Sequence, residues 1–290
     1  MTLSSGAPSS GTPVSLRKVL ITGASSGIGL AAARMFAERG YQVVGTCRHP
    51  SSAPAIPGVS LIAMDCSDPA SVERGFLEAL QSLGRVEILI NNAGVGELGA
   101  VEDSTQEDAR RLFEVNYFSA VQLIRLCLPG MRERGAGAIL QLGSIVYSLQ
   151  FPFKAQYCAS KAALSAFSLS LHQEVYPYGI RVHLFEPGWV RSEFHRRMQP
   201  VLRDGSPYAP RLGPFLDFSR DTSSRIPDGE YVARILLGTL ENPRAPVRIA
   251  VGREAKRFFL VSRFLSHHML DRILRWKLSR KNGTGNKTPL

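Results

Sequence analysis

Long apolar runs are the first thing this sequence lacks. None approaches the roughly 18–20 residues that crossing a bilayer as a helix requires, although 44% of the 290 residues are hydrophobic, ample for a large core. Cysteine is scarce: Cys47, Cys66, Cys127 and Cys158 form no CxxC unit. They fall in or beside predicted strands and helices, which argues against a disulfide framework and for free thiols in a reducing cytoplasm. Cys158 has no histidine placed by sequence to activate it and reads as a packing residue. Metal-ligand spacing is missing too, because His267 and His268 are adjacent, so no metal is expected. Residues 1–16 read as a disordered tail: Met1–Val14 is rich in Ser, Gly and Pro and has no apolar core before a cleavage site, unlike a secretory signal. Most of the chain also lacks strong charge. Of the formal +11, the stretch from Arg253 onward carries ten Lys/Arg against two Asp/Glu. The basicity belongs to that tail, and no nucleic-acid partner is expected.

What is present is a regular alternation of short apolar runs and helical patterns. Lys18–Thr22, Gln42–Thr46, Leu61–Met64, Glu87–Ile90, Ala138–Leu142, Arg181–Phe185 and Val247–Val251 read as strands. Helices are predicted over Gly27–Arg39, Pro69–Leu83 (with Asp68 as N-cap), Asp103–Leu128, Gln156–Val175 and Asp228–Leu240. Short apolar strands separated by helices imply right-handed crossovers and a parallel sheet covered on both faces. The expected fold is therefore α/β: one Rossmann-like, doubly wound domain of about seven strands over residues 17–252. Arg191–Ile226, with four prolines, is expected to be an irregular substrate lid.

The first strand runs into Thr22-Gly23-Ala24-Ser25-Ser26-Gly27-Ile28-Gly29. Glycines there let the backbone turn tightly and approach a pyrophosphate at a helix N-terminus. After the second strand stands Thr46-Cys47-Arg48, with no carboxylate to accept ribose hydroxyls. Arg48 is either a solvated arginine or a partner for a 2′-phosphate; the missing acid favours NADP(H), with NAD(H) as the lesser option. Tyr157 and Lys161 sit four apart on a predicted helix and share a face. Carbonyl reduction needs a proton donor and a hydrogen-bond donor at the oxygen. A free tyrosine titrates at about 10, and the Lys161 ammonium together with the positive nicotinamide of an oxidised cofactor is expected to lower that value. Ser144 lies just beyond the fifth strand, thirteen positions before Tyr157.

Taken together, the TGxxxGxG loop, Asn91-Asn92-Ala93-Gly94, Ser144, Tyr157-x-x-x-Lys161 and Pro187-Gly188 resemble the short-chain dehydrogenase/reductase family over about Arg17 to Gly252. Gly143 replaces the first serine of the family's usual Ser-Ser pair and leaves the Ser144 hydroxyl in place. The resemblance implies a catalytic set of Asn116, Ser144, Tyr157 and Lys161, in which Tyr157 is general acid and base. It makes Lys161 a holder of the nicotinamide ribose and Asn116 the support of a water-linked proton path. It also implies that Gly23, Ser25, Ser26, Gly27, Ile28, Gly29, Arg48, Asp65, Cys66, Asn92, Ala93, Gly94, Pro187, Gly188, Val190 and Ser192 contact the cofactor. A homodimer or homotetramer through the Asp103 and Gln156 helices is implied as well. A non-enzymatic NADP(H)-binding sensor or scaffold is the alternative, since a fold alone does not establish activity.

Phe151-Pro152-Phe153, Gln156–Lys161, Glu186-Pro187-Gly188 and Glu241-Asn242-Pro243 are similar to the branch containing estradiol 17-beta-dehydrogenase and retinol dehydrogenases. That implies a bulky apolar carbonyl or alcohol substrate of steroid, retinoid or polyketide type. Phe151, Phe153, Trp189, Phe194, Met198, Tyr208 and Phe215 either line its pocket or pack the core and lid. The extension over residues 253–290 carries Phe258, Val261, Leu265, Met269, Ile273 and Trp276 at helical spacing among basic residues. Packing against the domain or an oligomer partner is the preferred reading of this stripe; peripheral contact with an anionic membrane, from a cytoplasmic location, is the other.

Overall fold

The computed structural model describes residues 17–191, 193–194, 198, 200–220, 226–262, 264–265, 268–272 and 275. The expected N-terminal tail lies outside them. Seven strands form one parallel sheet: β1 (Lys18–Thr22), β2 (Gln42–Cys47), β3 (Val59–Ala63), β4 (Ile88–Asn91), β6 (Gly137–Leu142), β7 (Ile180–Pro187) and β9 (Arg248–Val251). Their order is β3-β2-β1-β4-β6-β7-β9. A second, two-stranded pair joins β5 (Leu98–Gly99) to β8 (Pro200–Val201). The central strands are buried throughout, as a sheet covered on both faces demands. On one face, α1 (Gly27–Glu38) and α7 (Gly229–Glu241) enclose Ala32, Phe36, Leu236 and Leu237. On the other, α2 (Pro69–Leu83), α4 (Ser119–Glu133) and α5 (Ala155–Val175) enclose Phe76, Leu123, Ile124 and Leu171.

Local signals set several boundaries as expected. The Asp68 carboxylate accepts the Ala70 N–H at 2.9 Å and Pro69 opens α2, so two of the helix's orphan positions are dealt with at once. The predicted Asp103–Leu128 helix is corrected. It divides into α3 (Gln106–Phe113), a π-helical turn over Glu114–Phe118, and α4, which passes through Pro129 to Glu133. Proline forfeits one backbone hydrogen bond, but the buried series Leu123, Ile124, Cys127 and Met131 continues beyond it and keeps the last turn on the sheet.

The Arg191–Ile226 stretch is corrected as well. It contributes β8 and the helix α6 (Ala209–Arg220), whose Leu212 and Phe215 pack with Leu98 and Phe151 into a separate apolar cluster. In the C-terminal extension, α8 (Arg253–Ser262) buries Ala255, and Phe259 stacks on the Arg248 guanidinium 4.5 Å from its ring centre. Of the stripe itself, Phe258 and Leu265 are half-buried. Leu260, Val261, Phe264 and Met269 face solvent, Phe264 with 81% exposure; Ile273 and Trp276 lie outside the described residues. Among those residues no helix is long and apolar enough to cross a membrane.

Candidate active site

All strands of the main sheet run the same way, so their C-terminal ends share one edge. The connections leaving β1 and β4 diverge there to opposite sides, opening the crevice that such sheets use for ligands. The cleft at this edge has a volume of about 540 Å³ and is lined from Gly23 at one end to Met198 and Val201 at the other. Seventeen of the residues expected to act in catalysis or cofactor contact line it: Gly23, Ser25, Ser26, Gly27, Ile28, Arg48, Asp65, Cys66, Asn92, Ala93, Gly94, Ser144, Tyr157, Lys161, Pro187, Gly188 and Val190. Three do not. Gly29 lies beneath the loop, Asn116 stands behind the cleft wall, and Ser192 lies outside the described residues.

The phosphate-loop backbone turns at Gly23 and Gly27, whose φ values of +68° and +56° disfavour any side chain. Gly29 answers to a different constraint. A Cβ there would meet the Gly23 carbonyl and come within 2.5 Å of the Asn92 amide nitrogen. The first turn of α1 holds no acid and receives no side-chain cap from Ser26, so its N-terminus presents amides toward the cleft. A dinucleotide pyrophosphate fits such a cradle, because its charge meets backbone N–H groups and the positive end of the helix.

Asn92 was expected to line the ribose; its side chain also has a second task. Its Nδ2 donates to the Thr22 and Gly23 carbonyls at 2.8 and 3.2 Å. The Thr22 hydroxyl in turn accepts the N–H groups of Asn92 and Ala93 at 3.0 and 2.9 Å. Sequence reasoning passed over Thr22, whose only signal was its place as the first letter of the loop motif. Asp65 is held by Ser67, whose N–H and hydroxyl donate to Oδ1 at 2.9 and 2.7 Å. Burial works against its carboxylate, but these bonds and the nearby charges of Arg48 and His49 keep its pKa below the ordinary value. Burial pushes the Cys66 thiol up to about 11, which marks it as a wall and not a nucleophile. All four cysteines are free and buried.

Tyr157 and Lys161 emerge from the same face of α5 and are 7% and 5% exposed. The Tyr157 hydroxyl is hydrogen-bonded to Ser144, which stands just beyond β6 and caps a short turn by accepting the Val146 N–H. Burial raises the Tyr157 pKa above its ordinary value, and the Ser144 bond opposes part of that rise. Lys161 is not among the groups that act on it here: its ammonium donates to the Leu142 carbonyl at 2.9 Å, and burial lowers its own pKa to about 8.

Asn116 sits in the π-helical turn, where it is 2% exposed. Its Oδ1 accepts the Val95 N–H at 2.8 Å, and its Nδ2 donates to the Val95 carbonyl and to Ser160 Oγ at 2.9 and 3.1 Å. Ser160 Oγ then donates to the Tyr157 carbonyl at 2.8 Å. One amide thus ties the loop after β4 to the tyrosine-bearing helix. The wide turn supplies the reason it reaches both.

At the substrate end, Phe151, Trp189, Phe194 and Met198 line the cleft. Phe153 and Phe215 pack behind it, 5.7 Å apart, and Tyr208 turns away to donate to Glu102 at 2.8 Å. Both readings of the aromatics are therefore right for different residues.

Comparison with known proteins agrees with this geometry. The short chain dehydrogenase model matches residues 17–201. The chain belongs to the short-chain dehydrogenase family. A 3-ketodihydrosphingosine reductase of Bacteroides thetaiotaomicron is 36% identical over 66% of this chain and 71% of its own. The bovine dehydrogenase/reductase SDR family member 7B is 34% identical over 66% of this chain and 62% of its own. Among solved structures, a short-chain dehydrogenase from Streptomyces avermitilis superposes with a TM-score of 0.76 at 31% identity, over 93% of this chain and 100% of that one. One from Burkholderia cenocepacia, in complex with NADP, shares the fold with a TM-score of 0.71 at 24% identity, over 89% and 98%. As a short-chain dehydrogenase the chain is an NAD(P)-binding oxidoreductase acting on alcohol or carbonyl groups.

Because the Thr22 hydroxyl is the shared acceptor of two N–H groups beneath the cleft, Thr22→Val strands both. It is expected to cost about 1–3 kcal/mol and to weaken NADPH binding. Urea unfolding with and without NADPH checks this, and an unchanged midpoint would show that water replaces the hydroxyl.

Proposed function

We propose that this short-chain dehydrogenase interconverts a bulky apolar carbonyl and its alcohol with NADP(H), using Tyr157 as the proton donor and acceptor. The observation that carries the reading is the buried Tyr157 hydroxyl bonded to Ser144 within the cleft that also holds the glycine loop. Bound nicotinamide supplies or accepts the hydride. Tyr157 delivers the proton to the oxygen in reduction and removes it in oxidation, and Ser144 orients that oxygen by a second hydrogen bond. In this reading Lys161 holds the cofactor ribose and hands protons toward Tyr157. Asn116 acts as a positioning residue through Val95 and Ser160.

Two features support the finer choices. Arg48 is exposed at the cleft's dinucleotide end, past a strand with no acid after it, which favours a 2′-phosphate. Phe151, Trp189, Phe194 and Met198 favour an apolar substrate, and one relative is named for a keto-sphingosine. The segment that carries β8 and α6 is read as the lid over that end. At the C-terminus, exposed Leu260, Val261 and Phe264 beside Lys256 and Arg257 favour contact with an anionic membrane surface over intramolecular packing.

Three outcomes are expected. Tyr157→Phe lowers turnover of an apolar ketone by roughly 10²–10⁴-fold while the NADPH dissociation constant stays near the wild-type value; near-full turnover would remove Tyr157 from its role. Arg48→Ala reduces the kcat/KM preference for NADPH over NADH by roughly ten-fold, and an unaltered ratio would assign the preference elsewhere. In flotation assays the full chain rises with anionic vesicles and not with neutral ones, and a Leu260→Ser/Phe264→Ser variant does not; identical behaviour of the two proteins would return the stripe to a protein interface.

A further inference from the structure

Lys154 stands at the N-terminal end of α5, three residues ahead of Tyr157, and nothing in the mechanism above uses it. Its side chain lines the cleft and the residue is 3% exposed. The ammonium lies 5.1 Å from the ring centre of Trp189 and 5.9 Å from that of Phe215. Phe151 and Leu212 extend the same apolar wall. Among the described residues no carboxylate lies within ion-pair distance of it, and the ionisable groups that act on it reduce to the thiol of Cys158. Lys161, by contrast, has the Leu142 carbonyl at 2.9 Å.

An ammonium removed from water needs compensation, and aromatic faces supply part of it. Structural lysines usually snorkel to solvent. This one is turned into the substrate end of the cleft, where an anionic occupant would add to that compensation.

We propose that Lys154 recognises a carboxylate carried by an otherwise apolar substrate, seating it against the Trp189 side of the cleft while the carbonyl faces Tyr157. The proposal rests on the reading of the cleft as a carbonyl-reducing site and narrows its substrate class to oxo-acids with an apolar body. Burial lowers the Lys154 pKa to about 8, and a bound carboxylate would hold the proton on.

The test compares terephthalaldehydic acid with its methyl ester as NADPH-dependent substrates of the wild type, Lys154→Met and Lys154→Arg. The acid-to-ester ratio of kcat/KM is expected to fall roughly ten- to hundred-fold in Lys154→Met, chiefly through KM for the acid, and to persist in Lys154→Arg. A general loss of folding or activity lowers both substrates alike and cancels in the ratio. The same ratio in wild type and Lys154→Met would overturn the proposal. If neither aldehyde is reduced by the wild type, the carbonyl-reducing reading is the one in question. Calorimetric binding of para-phenylbenzoate and its methyl ester to the NADPH complexes then decides the charge question without turnover: selective loss of acid affinity in Lys154→Met supports Lys154 as the anchor, and equal loss for acid and ester overturns it.

Discussion

The hydroxyl of Thr22 ties together the ends of the two central strands at the point where the strand order reverses. It accepts two N–H groups from the loop after β4, while the Asn92 amide returns two bonds to the loop after β1. Gly23 and Ser25 to Ile28, after β1, and Asn92 to Glu97, after β4, line the cleft side by side. If they part, the glycine turn loses its floor and the Asn116 bonds lose their target at Val95. The cleft is thus a property of backbone geometry before it is a property of reactive side chains, which is why its most constrained residues carry little chemistry of their own.

Electrostatics in the cleft are governed by burial more than by neighbouring charge. Tyr157 and Lys161 are both displaced toward their neutral forms, and Lys154 is displaced in the same direction. Low dielectric penalises every isolated charge, so a cleft that carries two buried lysines is set to respond to anionic occupants. A dinucleotide with its phosphates, and a substrate with a carboxylate, would each relieve part of that penalty. Binding and proton affinity are coupled here through solvent exclusion.

Much of the site was legible because its signals are local. Tyr157 and Lys161 share a helix face by spacing alone, and the glycine loop lies between a strand and a helix with no long-range information needed. Asp68 and Pro69 announced the start of α2 in the same way. Where the reading failed, the deciding contact was distant in sequence. Pro129 looked like a helix end, yet Met131 packs on the sheet and carries α4 past it. Pro210 and Pro214 made Arg191–Ile226 look irregular, yet Leu212 and Phe215 find Leu98 and Phe151, more than fifty residues away, and α6 forms on that cluster. For Tyr208 the sequence left pocket and lid both open, and only its bond to Glu102 shows that it turns away from the cleft.

The sequence by itself determined the parallel α/β architecture, the family, and the residues that gather at the strand ends, because periodicity, turn chemistry and motif spacing are written along the backbone. Only the tertiary structure decided the tasks of Thr22 and Asn116, the burial of Tyr157 against Ser144, and the placement of Lys154 among aromatic rings. Those outcomes depend on which distant segments meet and how much water they exclude, and neither quantity is a local property of the chain.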